Sequence, residues 1–181
     1  MRTILVLHFG GDQIRGSEVC LIHTIAALYA DGYKVVLLRS NPCLDEHVVG
    51  QVDTILDELF PEIMFDGGYR SLPLKKYVVS VRRLAGLIKE YKPLALLCNS
   101  GLPCQIAVPA AKIHDVPVLC HFHHPAPRRY FYIWLVRFAT RLIFPSQFTR
   151  DDVNSKCGRD GEVVYNAVDV VNRYVPTTER D

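Results

Sequence analysis

Strand-like and helix-like segments alternate about seven times along this chain, and no other feature limits its fold so strongly. Residues 4–8 (Ile4-Leu5-Val6-Leu7-His8) are short and apolar, as expected of a strand buried on both faces. The loop that follows contains Gly10, Gly11 and Gly16. From Ser17-Glu18 onward, Val19, Leu21, Ile22, Ile25, Ala26, Leu28 and Tyr29 recur at helical spacing, and Asp31-Gly32 closes the helix. Residues 34–39, centred on Val35-Val36-Leu37-Leu38, form a second strand. A right-handed crossover makes this βαβ pair parallel.

The pattern continues. Residues 42–60 are expected to be helical in part, 63–65 a third strand, and Asp66-Gly67-Gly68 a loop. A helix is predicted over 74–91, ended by Pro93. Strands are predicted at 94–98, 116–121, 142–144 and 163–165, and helices at 102–114, 129–140 and 146–155, the last N-capped by Ser146. The predicted fold is α/β, a doubly wound, mostly parallel sheet of Rossmann-like type. One domain spans residues 1–170, and 171–181 form a linker or tail. In such sheets ligands bind beyond the carboxyl ends of the strands, where strand order reverses. Function therefore belongs in the loops that follow the strands.

Composition excludes several other classes. With 49% hydrophobic and 22% charged residues, the 181-residue chain is neither disordered nor collagen-like. A chain of this length buries roughly 70% of its unfolded surface and needs no staple. A net charge of +2 is too mild for a nucleic-acid binder. Cys20, Cys43, Cys98, Cys104, Cys120 and Cys157 show no CxxC spacing and read as small buried hydrophobes of a reducing, cytoplasmic compartment. Residues 3–7 are too short for a signal-peptide core, and no stretch is long enough to span a membrane.

Three loops carry candidate chemistry. The first, from Phe9 to Glu18, places glycines before a helix N-terminus, where a phosphate or a sugar hydroxyl would meet unpaired N–H groups. A plain strand-to-helix turn would look the same, and neither G-x-G-x-x-G nor a P-loop is present. The second, Asn99-Ser100-Gly101, either bonds a ligand or caps the next helix. The third, His121-Phe122-His123-His124, turns His121 and His123 to one side and His124 to the other. No fourth ligand stands near to complete a zinc site, so no metal is expected. A histidine here either donates to a sugar hydroxyl or shuttles a proton, or it simply bonds a backbone carbonyl. The stretch 128–134 sets Arg128-Arg129 beside aromatics and reads as core-facing or as contacting a membrane surface.

Four segments in order resemble the N-terminal domain of the GT-B retaining glycosyltransferases, family 4. They are the loop ending Gly16-Ser17-Glu18 with its helix and strand, Val116-Pro117-Val118-Leu119 with His123, Phe144-Pro145-Ser146 with Arg150, and Val163-Val164-Tyr165-Asn166-Ala167-Val168-Asp169. Three positions depart from the family pattern. Arg15 replaces a glycine, Tyr33 a histidine and Ala167 a glycine.

The resemblance implies that Gly11, Gly16 and Ser17 bind the donor near its phosphates. It implies that His123 is the catalytic-site residue at the donor sugar, and that Asn99, Ser100 and Arg128 lie on the acceptor side. Ser146, Arg150, Asn166 and Asp169 would line the interdomain cleft. It further implies a nucleotide-diphosphate sugar as donor, no bound cofactor or metal, and a C-terminal nucleotide-binding domain beyond this chain, without which transfer is not expected. The acceptor would be a sugar, polysaccharide or lipid, and the protein would be cytoplasmic and in places peripheral to a membrane. Two readings compete: a nucleotide-sugar epimerase or hydrolase half, and a non-catalytic flavodoxin-like module.

Overall fold

The computed structural model describes residues 2–58, 64–66, 69–71 and 73–166. Strand β1 (Thr3–His8) leads through the glycine loop into helix α1 (Gly16–Ala30) and then β2 (Lys34–Arg39). A single 3-10 turn (Pro42–His47) precedes β3 (Thr54–Asp57), and the short β4 (Met64–Asp66) and β5 (Tyr69–Ser71) follow. The remainder runs α2 (Leu74–Tyr91), β6 (Ala95–Asn99), α3 (Cys104–Ile113), β7 (Val118–His121), α4 (Arg128–Ile133), a 3-10 turn (Val136–Phe138), β8 (Arg141–Phe144), α5 (Gln147–Cys157) and β9 (Glu162–Val163).

Seven strands form one sheet in the order β3-β2-β1-β6-β7-β8-β9, with every neighbouring pair parallel. Alternate residues of the apolar strands feed two cores. Leu5, Leu7, Leu96 and Cys98 face Leu84, Leu87, Ile88, Ile106 and Val153 of α2, α3 and α5. Ile4, Val6, Val35 and Leu37 face Leu21 and Ile25 of α1 and Leu44 and Val48. Helices on both faces make the sheet doubly wound, as the alternation predicts.

Two expectations need correction. Residues 42–58 are helical in part, as expected, through the 3-10 turn, but they also hold the unexpected edge strand β3. Of the third strand expected at 63–65, residues 64 and 65 instead belong to a separate antiparallel pair, β4 with β5, and residues 59–63 lie outside the described residues. Edge strand β3 has one half-buried face, and so lacks the continuous apolar run that marks the inner strands. The helix expected over 129–140 is broken. Leu135 adopts a left-handed φ of 57°, which sends Val136 into the core. There Val136, Phe122 and Trp134 pack so tightly against Gly101 that a Cβ on that glycine would lie 2.8–2.9 Å from all three.

The direction of chain growth reverses between β1 and β6, which lie side by side at the switch point. Their last residues, His8 and Asn99, are register partners, and Asn99 in turn pairs with His121 of β7. Three polar residues thus end three adjacent apolar strands in one row.

Candidate functional site

That row lies directly behind the N-terminus of α1. His8, Glu18 and Asn99 are 2%, 5% and 3% exposed, so their polar atoms depend on one another and on nearby backbone for partners, and His8 Nε2 has no hydrogen bond among the described residues. The Asn99 amide nitrogen donates to His8 Nδ1 at 3.0 Å and to the Ser17 carbonyl at 3.4 Å. Asn99 Oδ1 lies 2.7 Å from His123 Nε2. On its other side His8 Nε2 faces Glu18 Oε1 at 3.6 Å. The second oxygen of Glu18 accepts from the Arg15 N–H and the Ser17 hydroxyl, each at 3.0 Å. A carboxylate in the first turn of a helix is favoured by the helix dipole and satisfies one of its otherwise unpaired N–H groups.

The imidazoles of His121 and His123 lie 4.1 Å apart, tilted by 41°. His124 is exposed and stacks beside Phe122 instead, so the alternation expected from strand geometry holds. Burial lowers the proton affinity of His8 and His121. It does so most for His123, whose pKa falls to about 3 through desolvation, with repulsion from His121, His124 and His8 adding to it. Burial thus favours an uncharged imidazole for His123 at neutral pH in the unliganded protein. Among the described residues, no group of three or more His, Cys, Asp or Glu is arranged to hold a metal ion.

The glycine loop is fastened from behind. Asn41 Nδ2 donates to the carbonyls of Gly10 at 2.5 Å and Gly11 at 2.6 Å. Asn41 itself sits at the end of β2, where buried Arg39 forms a bidentate pair with Asp45 and a further pair with Asp57. Gly10 is the glycine that sterics demand, because a Cβ there would collide with the His8 ring and come within 3.0 Å of Glu18 Oε1. Gly11 and Gly16 have open space at the same position.

The remaining candidates take the following places. Gly16 begins α1 and Ser17 contributes its carbonyl to Asn99, so both stand at the same end of the sheet as His123. Arg15, one of the departures from the family pattern, is the N-cap residue and turns its N–H onto Glu18. Tyr33, another, lies at the opposite end of the sheet beneath Arg2. Neither Asn99 nor Ser100 caps α3. The N-cap there is Pro103, and the Asn99 amide is held by the two histidines. Ser100 has a left-handed φ of 79° and donates its N–H to the His121 carbonyl. Arg128 is exposed at the start of α4, while Tyr130 and Phe131 point into the core and Trp134 stacks on Tyr130. The aromatic stretch is thus mainly core-facing.

Ser146 caps α5, accepting from the Thr149 N–H at 3.2 Å, and Arg150 pairs with Asp151 and Asp160. Asn166 is exposed on a recess of about 290 Å³ lined also by His23, Thr24 and His121. Asp169 and Ala167 lie outside the described residues. Sequence reasoning missed His8 and Asn41 as members of the site, and included Gly10 and Glu18 only as parts of the candidate loop without a role of their own. The polar ends of otherwise apolar strands were the available signal for His8.

The sequence model of Glycosyltransferase Family 4 matches residues 14–172. No curated protein matches the chain. Among solved structures, the fold is similar to that of the lipopolysaccharide outer core galactosyltransferase WaaB in its apo form. The TM-score is 0.70, with 16% identity over 99% of this chain and 50% of that one. It is also similar to Anabaena HepE in complex with UDP-glucose, with TM-score 0.67 and 21% identity over 93% of this chain and 45% of that one. A putative UDP-N-acetylglucosamine 2-epimerase from Listeria monocytogenes shares the fold at TM-score 0.59 and 12% identity, over 88% of this chain and 43% of that one. The chain spans half or less of the length of each of these structures.

Proposed function

This chain belongs to Glycosyltransferase Family 4, and from that premise we propose that it is the acceptor-side, Rossmann-like half of a GT-B enzyme that moves a sugar from a nucleotide-diphosphate donor to an acceptor with retention. The acceptor hydroxyl oxygen bonds to the anomeric carbon, the diphosphate departs with the electron pair of the broken C–O bond, and the acceptor proton passes to the departing phosphate. Such chemistry needs preorganised donors and a dry cleft more than it needs a protein nucleophile. The observation that carries the reading is the gathering of the α1 N-terminus, Asn99 and His123 at the switch point of the sheet. The HepE relative was solved with UDP-glucose, which supports a nucleotide sugar as ligand.

In this reading the loop at Gly11, Gly16 and Ser17 approaches the diphosphate and His123 the donor sugar. The acceptor meets Ser100 and Arg128, and Ser146, Arg150, Asn166 and Asp169 line the cleft toward a second, nucleotide-binding domain. No metal or other cofactor enters the scheme. A lipid acceptor would bring the protein to a membrane surface on the cytoplasmic side. Closure of the cleft requires both walls, so the 181-residue chain alone binds donor weakly and transfers nothing measurable.

The test has two arms. The chain is incubated with UDP-glucose and a panel of other nucleotide sugars, and products are followed by chromatography. The same assay is repeated on the chain joined to the nucleotide-binding C-terminal domain of a Family 4 glycosyltransferase. Transfer by the joined protein and none by the chain is expected, and turnover by the chain alone refutes the half-site reading. Because an epimerase shares the fold, release of an epimer or of free sugar without acceptor would favour that alternative instead.

A further inference from the structure

His123 makes a hydrogen bond through Nε2, while its other ring nitrogen, Nδ1, is buried without a partner among the described residues. Whether that free position accepts or donates depends on which nitrogen carries the proton. The groups behind His123 determine this. A backbone carbonyl can only accept, so the edge of Asn99 facing the Ser17 carbonyl is its NH2 edge. The same NH2 lies 3.0 Å from His8 Nδ1, which must then be a bare acceptor, placing the His8 proton on Nε2 toward the Glu18 carboxylate. With its nitrogen so oriented, Asn99 turns Oδ1 to His123 at 2.7 Å. A carbonyl oxygen accepts, so His123 is protonated on Nε2.

We propose that Glu18, His8 and Asn99 form a positioning chain that holds His123 as the neutral Nε2–H tautomer, so that its Nδ1, covered in the unliganded protein, becomes an acceptor for a ligand hydroxyl when the ligand displaces what covers it. The Ser17 carbonyl fixes the direction of the hydrogen bonds that Asn99 makes to His8 and His123, and the Glu18 carboxylate, 3.6 Å from His8 Nε2, favours a proton on that nitrogen electrostatically rather than through a hydrogen bond. Two features protect the arrangement. Burial and the neighbouring His121, His124 and His8 keep His123 uncharged, and among the described residues no carboxylate is hydrogen-bonded to it. Gly10 leaves the space in which His8 meets Glu18. A buried acceptor discriminates among ligands: a sugar hydroxyl donates to it, whereas a phosphate oxygen, itself an acceptor, is repelled. His123 therefore faces the sugar and not the diphosphate. Only the identity of the ligand rests on the glycosyltransferase reading; the tautomer does not.

The test is long-range proton–nitrogen NMR of the 181-residue chain carrying nitrogen-15 histidine. At neutral pH, His8 and His123 are both expected to show a protonated Nε2 and a bare Nδ1. In Asn99→Asp the new carboxylate cannot donate to His8, so the His8 signal should change tautomer or protonate. His123, now facing a carboxylate, should bind its second proton about 10- to 100-fold more tightly. Asn99→Leu should leave both rings as mixed tautomers, with circular dichroism reporting that the fold is kept. Titration with glucose should move the His123 Nδ1 resonance, and sulfate, whose oxygens carry no proton at neutral pH and can only accept, should not. A wild-type His123 protonated on Nδ1, or an Asn99→Asp spectrum identical to wild type, overturns the proposal. Absence of glycosyl transfer by the joined protein would refute the functional reading while leaving this result standing.

Discussion

Replacing Gly10 by alanine separates the steric role of the glycine loop from mere loop composition. The added methyl would enter the space between the His8 ring and the Glu18 carboxylate, both nearly inaccessible to solvent. The loop cannot simply lift away, because Asn41 holds the Gly10 and Gly11 carbonyls and Ser40 lies 3.4 Å from the former. Either the His8–Asn99 bond breaks or Asn41 releases the loop. Forcing an extra carbon into a packed site costs about 1–3 kcal/mol, and a buried polar group left unpaired costs a similar amount. The terms overlap, so about 2 kcal/mol is expected, or about 4–8 °C in Tm for a domain of this size. Gly11→Ala and Gly16→Ala are the controls. Both have open space at the Cβ position and no left-handed φ, and should stay within about 0.5 kcal/mol of wild type. Urea denaturation of the four proteins, followed by circular dichroism, measures the differences. If Gly10→Ala matched the two controls, the close packing of the loop on His8 would be refuted.

Three further expectations can be checked. The pKa of His123 lies below that of an unfolded histidine, so the unfolded state binds the extra proton first. Stability should be complete above about pH 6.5 and fall as pH drops toward about 3, and His123→Gln should flatten that decline in urea titrations at a series of pH values. Ser146→Ala removes the side-chain cap of α5 and should cost about 1 kcal/mol by thermal unfolding, with Ser146→Asp largely restoring it. Of the cysteines, only Cys43 is not buried, so iodoacetamide under native conditions should label it well before the other five, as read by peptide mass spectrometry. Early modification of Cys98, Cys104 or Cys120 would contradict the packing of the central strands.

The inner strands and α2 were legible because their residues are buried in a regular way. Residues 34–39 match β2, and 74–91 match α2 end for end. The edge strand β3 escaped because only Thr54 and Leu56 are half-buried, with Asp57 facing outward to Arg39. The break at Leu135 escaped for a different reason. Leucine carries no local preference for left-handed backbone, and the turn is imposed by the packing of Trp134 and Val136 on Gly101. At the site, His123 and Asn99 were visible as polar residues after apolar strands. Their connection to Glu18, 81 positions before Asn99 in the chain, depends on β6 lying beside β1, and sheet order is not written in any one segment.

The pairing of His8 with Asn99 and of Asn99 with His121 has a consequence for how such a cleft is assembled. Were β6 to slide by one position along β1, Cys98 would stand beside His8, and the amide would be turned to the opposite side of the sheet. Misalignment of two hydrophobic strands, harmless to their burial on both faces, would erase the polar row completely. Accuracy of strand alignment during folding is thus the condition on which recognition at this cleft depends.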